Sequence, residues 1–259
     1  MPAKNPPTRE IGEMDMDMSR GVARSIDAAL DDFGKQSGHT EIAKAKLIVL
    51  GFSGMGAMFA HYVKYDPSRV LAAILANPGQ SKPYGMETID LSDEALAVPQ
   101  FIIVGAIDSR GGTQRPYEYF RKYWIRGAPW TFLVQNGIPH CCVIKVKMLI
   151  LDWLDEVIQA PMSSSGSFNA KIDTHRGWTG YVRTCSTERT DSFKEHLWNV
   201  CAASIKRVKS KPPADEVPAA WLPSHSLAFE WLAFVQQKEH SEDSFPDGLD
   251  ATHSKFAIH

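Results

Sequence analysis

Short, wholly apolar runs alternate with amphipathic segments between Met18 and Gln159. The runs are bounded by charged residues, glycine or proline, which is typical of strands that are buried on both faces of a sheet. In the segments between them, apolar residues recur at three- and four-residue steps, which favours helices. The predicted strands cover 46–51, 70–76, 100–105 and 130–135, and the predicted helices cover 18–33, 54–65, 115–126 and 142–159. Strands that alternate with helices predict an α/β fold with a mostly parallel sheet.

The pattern changes after Ala160. Residues 162–168 read MSSSGSF, which is typical of a linker or an exposed loop. Asp191–Ile205 and Ser224–Gln237 then have helical spacing and are separated by a proline-rich stretch. We therefore divide the chain into an irregular arm over 1–17, an α/β region over 18–160 and a mainly helical appendage over 161–259. Whether the appendage packs on the same domain stays open.

Composition and charge exclude several classes of protein. Hydrophobic residues make up 44% of the 259 residues and charged residues 22%, as in an ordinary globular protein. Lys and Arg number 28 against 30 Asp and Glu, so we expect no electrostatic footprint for nucleic acid or for an anionic membrane. The longest apolar runs are far shorter than the roughly 20 residues of a membrane span. The arm over 1–17 has no apolar stretch, so we expect it not to be a signal peptide.

The four cysteines stand at positions 141, 142, 185 and 201. They are too few and too irregularly spaced for a disulfide framework, and they lack the paired C-x-x-C spacing of a zinc site. We therefore expect no metal and a reducing compartment, with the cytoplasm as the location.

A serine among small residues joins the first predicted strand to the helix that follows it. The segment reads GFSGMG from Gly51 to Gly56. A sharp strand–turn–helix corner of this kind holds Ser53 in a strained conformation, with its hydroxyl above the sheet edge. The backbone N–H of Gly54, at the helix N-terminus, would point at an oxyanion that forms beside the serine. Gly51, Phe52 and Gly56 therefore build a candidate nucleophile elbow around Ser53.

A serine needs a base to accept its proton, and usually an acid that orients the base. Asp108 follows the third predicted strand, and His140 follows the fourth. Because the carboxyl ends of parallel strands meet at one edge of a sheet, we expect both side chains near the serine. Asp152 and Asp155 are rival acids, but their helical spacing favours a solvated face.

The stretch from about Met18 to Gln159 resembles the C-terminal half of an α/β-hydrolase of the esterase and depolymerase kind. The resemblance lies in the nucleophile elbow and in the chain order Ser, Asp, His. It implies that Ser53 is the nucleophile, that His140 is the general base and then the general acid, and that Asp108 orients the histidine. Gly54 would supply one N–H of the oxyanion hole.

Two features depart from the family pattern. The usual elbow is G-x-S-x-G, whereas Met55 stands at its last position here. The strands that normally precede the nucleophile have no counterpart among residues 1–52, so the fold is of a type shortened at the N-terminus. The second oxyanion donor is therefore unassigned, and the sheet should have an exposed edge where a second copy or a partner chain could pair.

These features predict a serine hydrolase that cleaves a small-molecule or polymeric carboxylic ester through an acyl-enzyme, without a cofactor. Three alternatives stay open. The same triad would serve an amide or peptide hydrolase, and it would also serve an acyl transferase. A truncated, inactive relative of the α/β-hydrolases could instead act as a binding module or as a partner-dependent subunit.

Overall fold

The computed structural model describes residues 18–79, 85–140, 146–165, 172–186 and 197–237. The predicted arm over 1–17 lies outside these residues. The described strands are β1 (Leu47–Phe52), β2 (Val70–Ala76), β3 (Gln100–Gly105), β4 (Thr131–Gln135), β5 (Trp178–Ser186), β6 (Trp198–Arg207) and β7 (Val217–Leu222). The described helices are α1 (Val22–Ser37), α2 (Gly54–Tyr65), α3 (Asp93–Leu96), α4 (Gln114–Trp124), α5 (Lys147–Ser165) and α6 (His225–Val235).

All seven strands form one sheet in the order β1-β2-β3-β4-β7-β5-β6. The first four strands pair in parallel, as the alternation of strands and helices predicted. β7 is antiparallel to β4, and β5 is antiparallel to both β7 and β6. The α/β fold class is therefore confirmed. The sheet is parallel over the predicted α/β region and mixed as a whole.

Helices cover both faces of the sheet. Trp153 of α5 packs edge-on against Phe101 of β3, with 5.3 Å between ring centroids. On the opposite face, Tyr117 of α4 packs against Phe132 of β4 at the same centroid distance. Because side chains of β3 and β4 are enclosed from both sides, every residue of the two strands is buried. This burial explains why their sequences are apolar without alternation.

The edge strand β1 is built differently. Its residues Ile48 and Leu50 are 47% and 53% exposed. Leu50 is in register with Ile74 of β2, which is in register with Phe101, so all three lie on the face that α5 covers further along the sheet. Among the described residues, no strand pairs with the outer edge of β1.

The prediction of a mainly helical appendage is wrong. The helix expected over Ser224–Gln237 is present as α6, but the helix expected over Asp191–Ile205 is not. Residues 191–196 lie outside the described residues, and Trp198–Arg207 is the strand β6. β6 carries a register shift, since Arg183 pairs with Ala202 whereas the next residue along β5 pairs with Val200. The shift places the buried positions of β6 at 198, 200 and 203, so the apolar residues no longer alternate along the sequence.

The predicted linker also begins too early. Helix α5 continues to Ser165, so residues 162–165 of the expected MSSSGSF linker are helical. Residues 166–168 lie outside the described residues.

One disulfide bond was not expected from the sequence. Cys185 of β5 is bonded to Cys201 of β6, with 5.9 Å between their Cα atoms. Their spacing carries no recognisable signal, because the bridge depends on the pairing of two strands that the sequence did not predict. The other two cysteines lie outside the described residues.

The start of β6 lies at the carboxyl edge of the parallel strands. β5 runs in the direction of β4, so it ends, and β6 begins, at this edge. Trp198 confirms the placement, because its backbone N–H donates to the hydroxyl of Thr113, in the loop after β3. No helix of the described residues combines the length and apolar character that crossing a membrane requires.

Candidate active site

Ser53 lies in a sharp corner between β1 and α2. Its backbone has φ 56° and ψ −126°, a combination that non-glycine residues rarely adopt and that costs about 1–3 kcal/mol. Its N–H donates to the carbonyl oxygen of Ala76 in β2. These two observations give the strained strand–turn–helix corner that the sequence predicted.

Two glycines make this corner feasible. A Cβ atom at Gly51 would lie 2.4 Å from the carbonyl oxygen of Met55, so no larger residue fits there. A Cβ atom at Gly56 would lie 3.1 Å from the Cβ of Pro78. The glycines at 51 and 56 therefore let strand, helix and the loop after β2 approach one another closely.

His140 lies in the loop after β4, with its side chain 13% exposed. Its Nε2 is 2.8 Å from Ser53 Oγ. The ring packs beside Phe52, with centroids 5.4 Å apart. In the tautomer with a free Nε2, the serine hydroxyl donates to the ring, which is the arrangement that general-base activation of a serine requires.

Asp108 lies in the loop after β3 and is fully buried. Its Oδ2 is 2.9 Å from His140 Nδ1 and accepts the Nδ1–H in that same tautomer. Its Oδ1 accepts the backbone N–H groups of Arg110 and Gly111, each at 2.8 Å. A buried carboxylate with all these bonds is held in one orientation, so it can fix the plane and the tautomer of the imidazole.

The loop after β2 contacts this site, although its residues were not predicted to have a role there. The Asn77 side chain joins the backbone of His140 to that of Gly105. The one signal that pointed to Asn77 was a polar residue directly after a buried strand, at the carboxyl edge where the other site residues lie.

The other candidate residues lie on α2 and α5. Gly54 begins α2, and the first N–H groups of a helix have no carbonyl partner within it. Asp152 lies on α5, where it faces Glu230 of α6 rather than His140. No group of three or more His, Cys, Asp or Glu suited to a metal ion occurs within the part of the chain that the structure describes.

Comparisons with known proteins returned structures only. No family model and no curated protein matches the chain. A variant of SOBER1 from Arabidopsis thaliana is similar in structure, with a TM-score of 0.41 and 16% identity over 53% of this chain and 63% of that protein. A carboxylesterase from Bacillus cereus gives a TM-score of 0.43 and 16% identity over 54% of this chain and 63% of its own. The chain thus spans less than two thirds of either protein.

Proposed function

We propose that this protein is a serine hydrolase of the α/β-hydrolase type that cleaves carboxylic esters through an acyl-enzyme. The observation that carries the proposal is the continuous chain of contacts from the Ser53 hydroxyl through His140 to the buried carboxylate of Asp108. A strained nucleophile, a base in contact with it and an acid that orients the base are the three parts that acyl transfer to serine needs.

In the first half of the reaction, His140 Nε2 accepts the hydroxyl proton while Ser53 Oγ forms a bond to the acyl carbon. The carbonyl π electrons move to the oxygen, and the N–H of Gly54 stabilises the resulting oxyanion. When the intermediate collapses, the bond to the alcohol oxygen breaks and the leaving oxygen takes the proton from Nε2. An ester between the acyl group and Ser53 remains.

In the second half, a water molecule attacks the acyl-enzyme and His140 Nε2 accepts its proton. Collapse of the second tetrahedral intermediate breaks the bond to Ser53 Oγ, which takes the proton back, and the free acid leaves. Asp108 remains ionised throughout and stabilises the imidazolium that forms in each half.

Labelling by a fluorophosphonate probe tests this proposal directly. The probe should label the folded wild type at one site, and Ser53→Ala should abolish the labelling. His140→Gln should slow it by about 10²–10⁴-fold, because the general base is lost. Ser68→Ala is the matched control, since Ser68 is an exposed serine that donates to Asp66 away from the site, and it should label at the wild-type rate.

A folded wild type that does not react with the probe would contradict the proposal. That result would favour the alternative that the protein is an inactive relative and acts as a binding module. If the probe does react, turnover of an ester and of an amide with the same acyl group separates the two hydrolase alternatives. We expect the protein to turn over the ester alone, or the ester much faster than the amide. Faster turnover of the amide would overturn the ester proposal.

A further inference from the structure

The residue that follows β2 has an unusual backbone for its type. Asn77 has φ 43°, in the left-handed region that non-glycine residues rarely occupy and that asparagine tolerates better than most. It is 3% exposed, so every polar group that it carries needs a partner inside the protein.

The side chain of Asn77 connects the two loops that carry the base and the acid. Its Nδ2 donates to the carbonyl oxygen of His140 at 2.9 Å, and its Oδ1 accepts the N–H of Gly105 at 2.7 Å. Gly105 ends β3, and its carbonyl oxygen accepts the N–H of Asp108 at 3.1 Å. One planar amide therefore sets the distance between the histidine loop and the start of the aspartate loop.

The two residues after Asn77 contact the remaining parts of the site. Gly79 N–H donates to the carbonyl oxygen of Ser53 at 3.4 Å, and Pro78 packs on Gly56 in the elbow. A Cβ atom added at Gly111 would lie 3.5 Å from the carbonyl oxygens of residues 77 and 78, so this segment packs closely on Gly111. The N–H of Gly111 donates to the Asp108 carboxylate. The segment 77–79 thus contacts all three loops that carry the triad.

We propose that Asn77 is a positioning residue that holds His140 in register with Asp108 and Ser53. The inference rests on the proposed function. The hydrogen bond to the His140 carbonyl fixes the backbone from which the ring projects, and the ring must reach two partners at 2.8 and 2.9 Å at once. A misplacement of about 1 Å in such a constellation can slow the reaction by about 10²-fold.

Asn77→Asp isolates the bond to His140. Aspartate keeps the shape, the tolerance of positive φ and the oxygen that accepts from Gly105. When it is ionised, aspartate replaces the amide donor with an oxygen that faces the His140 carbonyl oxygen, and two acceptors repel each other. When it is protonated, its O–H can donate to that oxygen, so the rates are compared on the high-pH plateau, where the carboxyl is ionised. Among the described residues, the charged group in contact with the imidazole in the wild type is Asp108, and the variant adds a second carboxylate near it.

Asn136→Asp is the matched control. Asn136 also directly follows a parallel strand and is 4% exposed, but its amide bonds the appendage. It donates to the carbonyl oxygens of Val200 and Gln237 and accepts the N–H of Val200. The same chemical change at 136 therefore disturbs a buried asparagine clamp that has no bond to the triad.

The experiment is the rate of fluorophosphonate labelling against pH, for variants shown to be folded by circular dichroism. Asn77→Asp should label at least about 10-fold more slowly than the wild type. Its pH profile should move to higher pH, because the added carboxylate stabilises the imidazolium. Asn136→Asp should lower the melting temperature but keep both the rate and the profile. Labelling of folded Asn77→Asp within about twofold of the wild type on the high-pH plateau would overturn the proposal, whatever the shift of its profile.

Two further measurements keep the outcome clear. If Asn77→Asp does not fold, Asn77→Gly replaces it, because glycine accepts the positive φ and removes the amide. Folded Asn77→Gly should also label at least about 10-fold more slowly, and a wild-type rate would overturn the proposal. If the wild type itself is not labelled, the proposed function fails. The NMR resonance of the His140 Nδ1 proton then still tests Asn77, since it should shift in Asn77→Asp and stay in place in Asn136→Asp, and no shift at 77 would overturn the positioning role.

Discussion

The two edges of the four-stranded parallel part of the sheet differ in whether further strands pair with them. At the β4 edge, Thr131 pairs with Ala220 of β7 and its hydroxyl donates to the carbonyl oxygen of Trp221, so the sheet continues through three more strands. At the β1 edge, Ile48 and Leu50 are half exposed and no described strand continues the sheet. The candidate nucleophile follows the open edge, and the candidate base follows the covered one.

The two edges support the loops of the site in different ways. The Ser53 corner is bonded to a single neighbouring strand end, through the Ala76 carbonyl oxygen and the N–H of Gly79. The histidine loop follows a strand with neighbours on both sides, and Asn136 within it is bonded to the appendage. The nucleophile corner therefore depends on its own strained backbone and its glycines, whereas β4 and the residue that directly follows it are held by a chain segment distant in sequence.

The largest expected effect is at the covered edge. Trp231 of α6 is fully buried, lies over Gly180 of β5 and donates to the carbonyl oxygen of Phe132 in β4. Trp231→Ala should lower the free energy of unfolding by about 3–5 kcal/mol, because it opens a large cavity in the layer that covers the edge. Urea unfolding measures this. Phe229→Ala, on the same helix but 61% exposed, is the control and should cost under about 0.5 kcal/mol.

A smaller effect is expected for two residues that are paired in register on neighbouring strands. Ile74 of β2 is buried, and Leu50 of β1 is its half-exposed partner on the same face. Ile74→Ala should lower the free energy of unfolding by about 2–5 kcal/mol, and Leu50→Ala by less than about 1 kcal/mol. Equal losses in urea titrations of the two variants would show that Leu50 is covered in solution, and the contrast between the edges would then fail.

A pH dependence should arise on the covered side, where α5 meets α6. Burial raises the pKa of Glu156 above its usual value, and the nearby Asp152 carboxylate adds to the rise. A raised folded-state pKa gives stability that is fully present below the unfolded pKa and is lost as pH rises through the folded one. The stability of Glu156→Gln relative to that of the wild type should therefore increase from about pH 4 upward and then level off. The Ser224 hydroxyl donates to Glu156 and can donate equally to a glutamine at that position. A difference in melting temperature between Glu156→Gln and the wild type that does not change from acid to neutral pH would contradict this prediction.

The smallest change in monomer stability is expected from placing lysines on the open edge. Ile48 and Leu50 are exposed enough for a lysine to reach water, so the double variant Ile48→Lys and Leu50→Lys should cost under about 1 kcal/mol. Such charges also block edge-to-edge pairing. The sequence led us to expect either a second copy or a partner chain at this edge. If it is a second copy, the wild type should sediment as an oligomer and the variant as a monomer. A monomeric wild type would exclude the second copy.

The sequence predicted the parallel part of the fold because burial leaves a direct trace there. β2 and β3 are enclosed on both faces, so their sequences are unbroken apolar runs. The elements β5, β6 and β7 leave no such trace. β5 carries Gly180 where Trp231 needs space, and β6 changes its inward-facing positions at the register shift near Cys201. The Cys185–Cys201 bridge was missed for the same reason.

The candidate site could be predicted as far as it lies next to predicted strands. Ser53, Asp108 and His140 were proposed because each follows a strand of the parallel sheet, and the structure brings their side chains together at hydrogen-bonding distance. Their catalytic roles stay a proposal. Asn77 also follows such a strand, but its contacts are with backbone atoms of loops whose shape no periodic pattern encodes.

The bridge between Cys185 and Cys201 has a consequence for how this protein could diversify. It ties together the end of β5 and the start of β6 at the same side of the sheet as Ser53. Because β6 and β1 lie at opposite ends of the sheet, changes beside this bridge should leave the nucleophile corner intact. Sequence changes beside the bridge should therefore be tolerated without loss of the Ser53 corner.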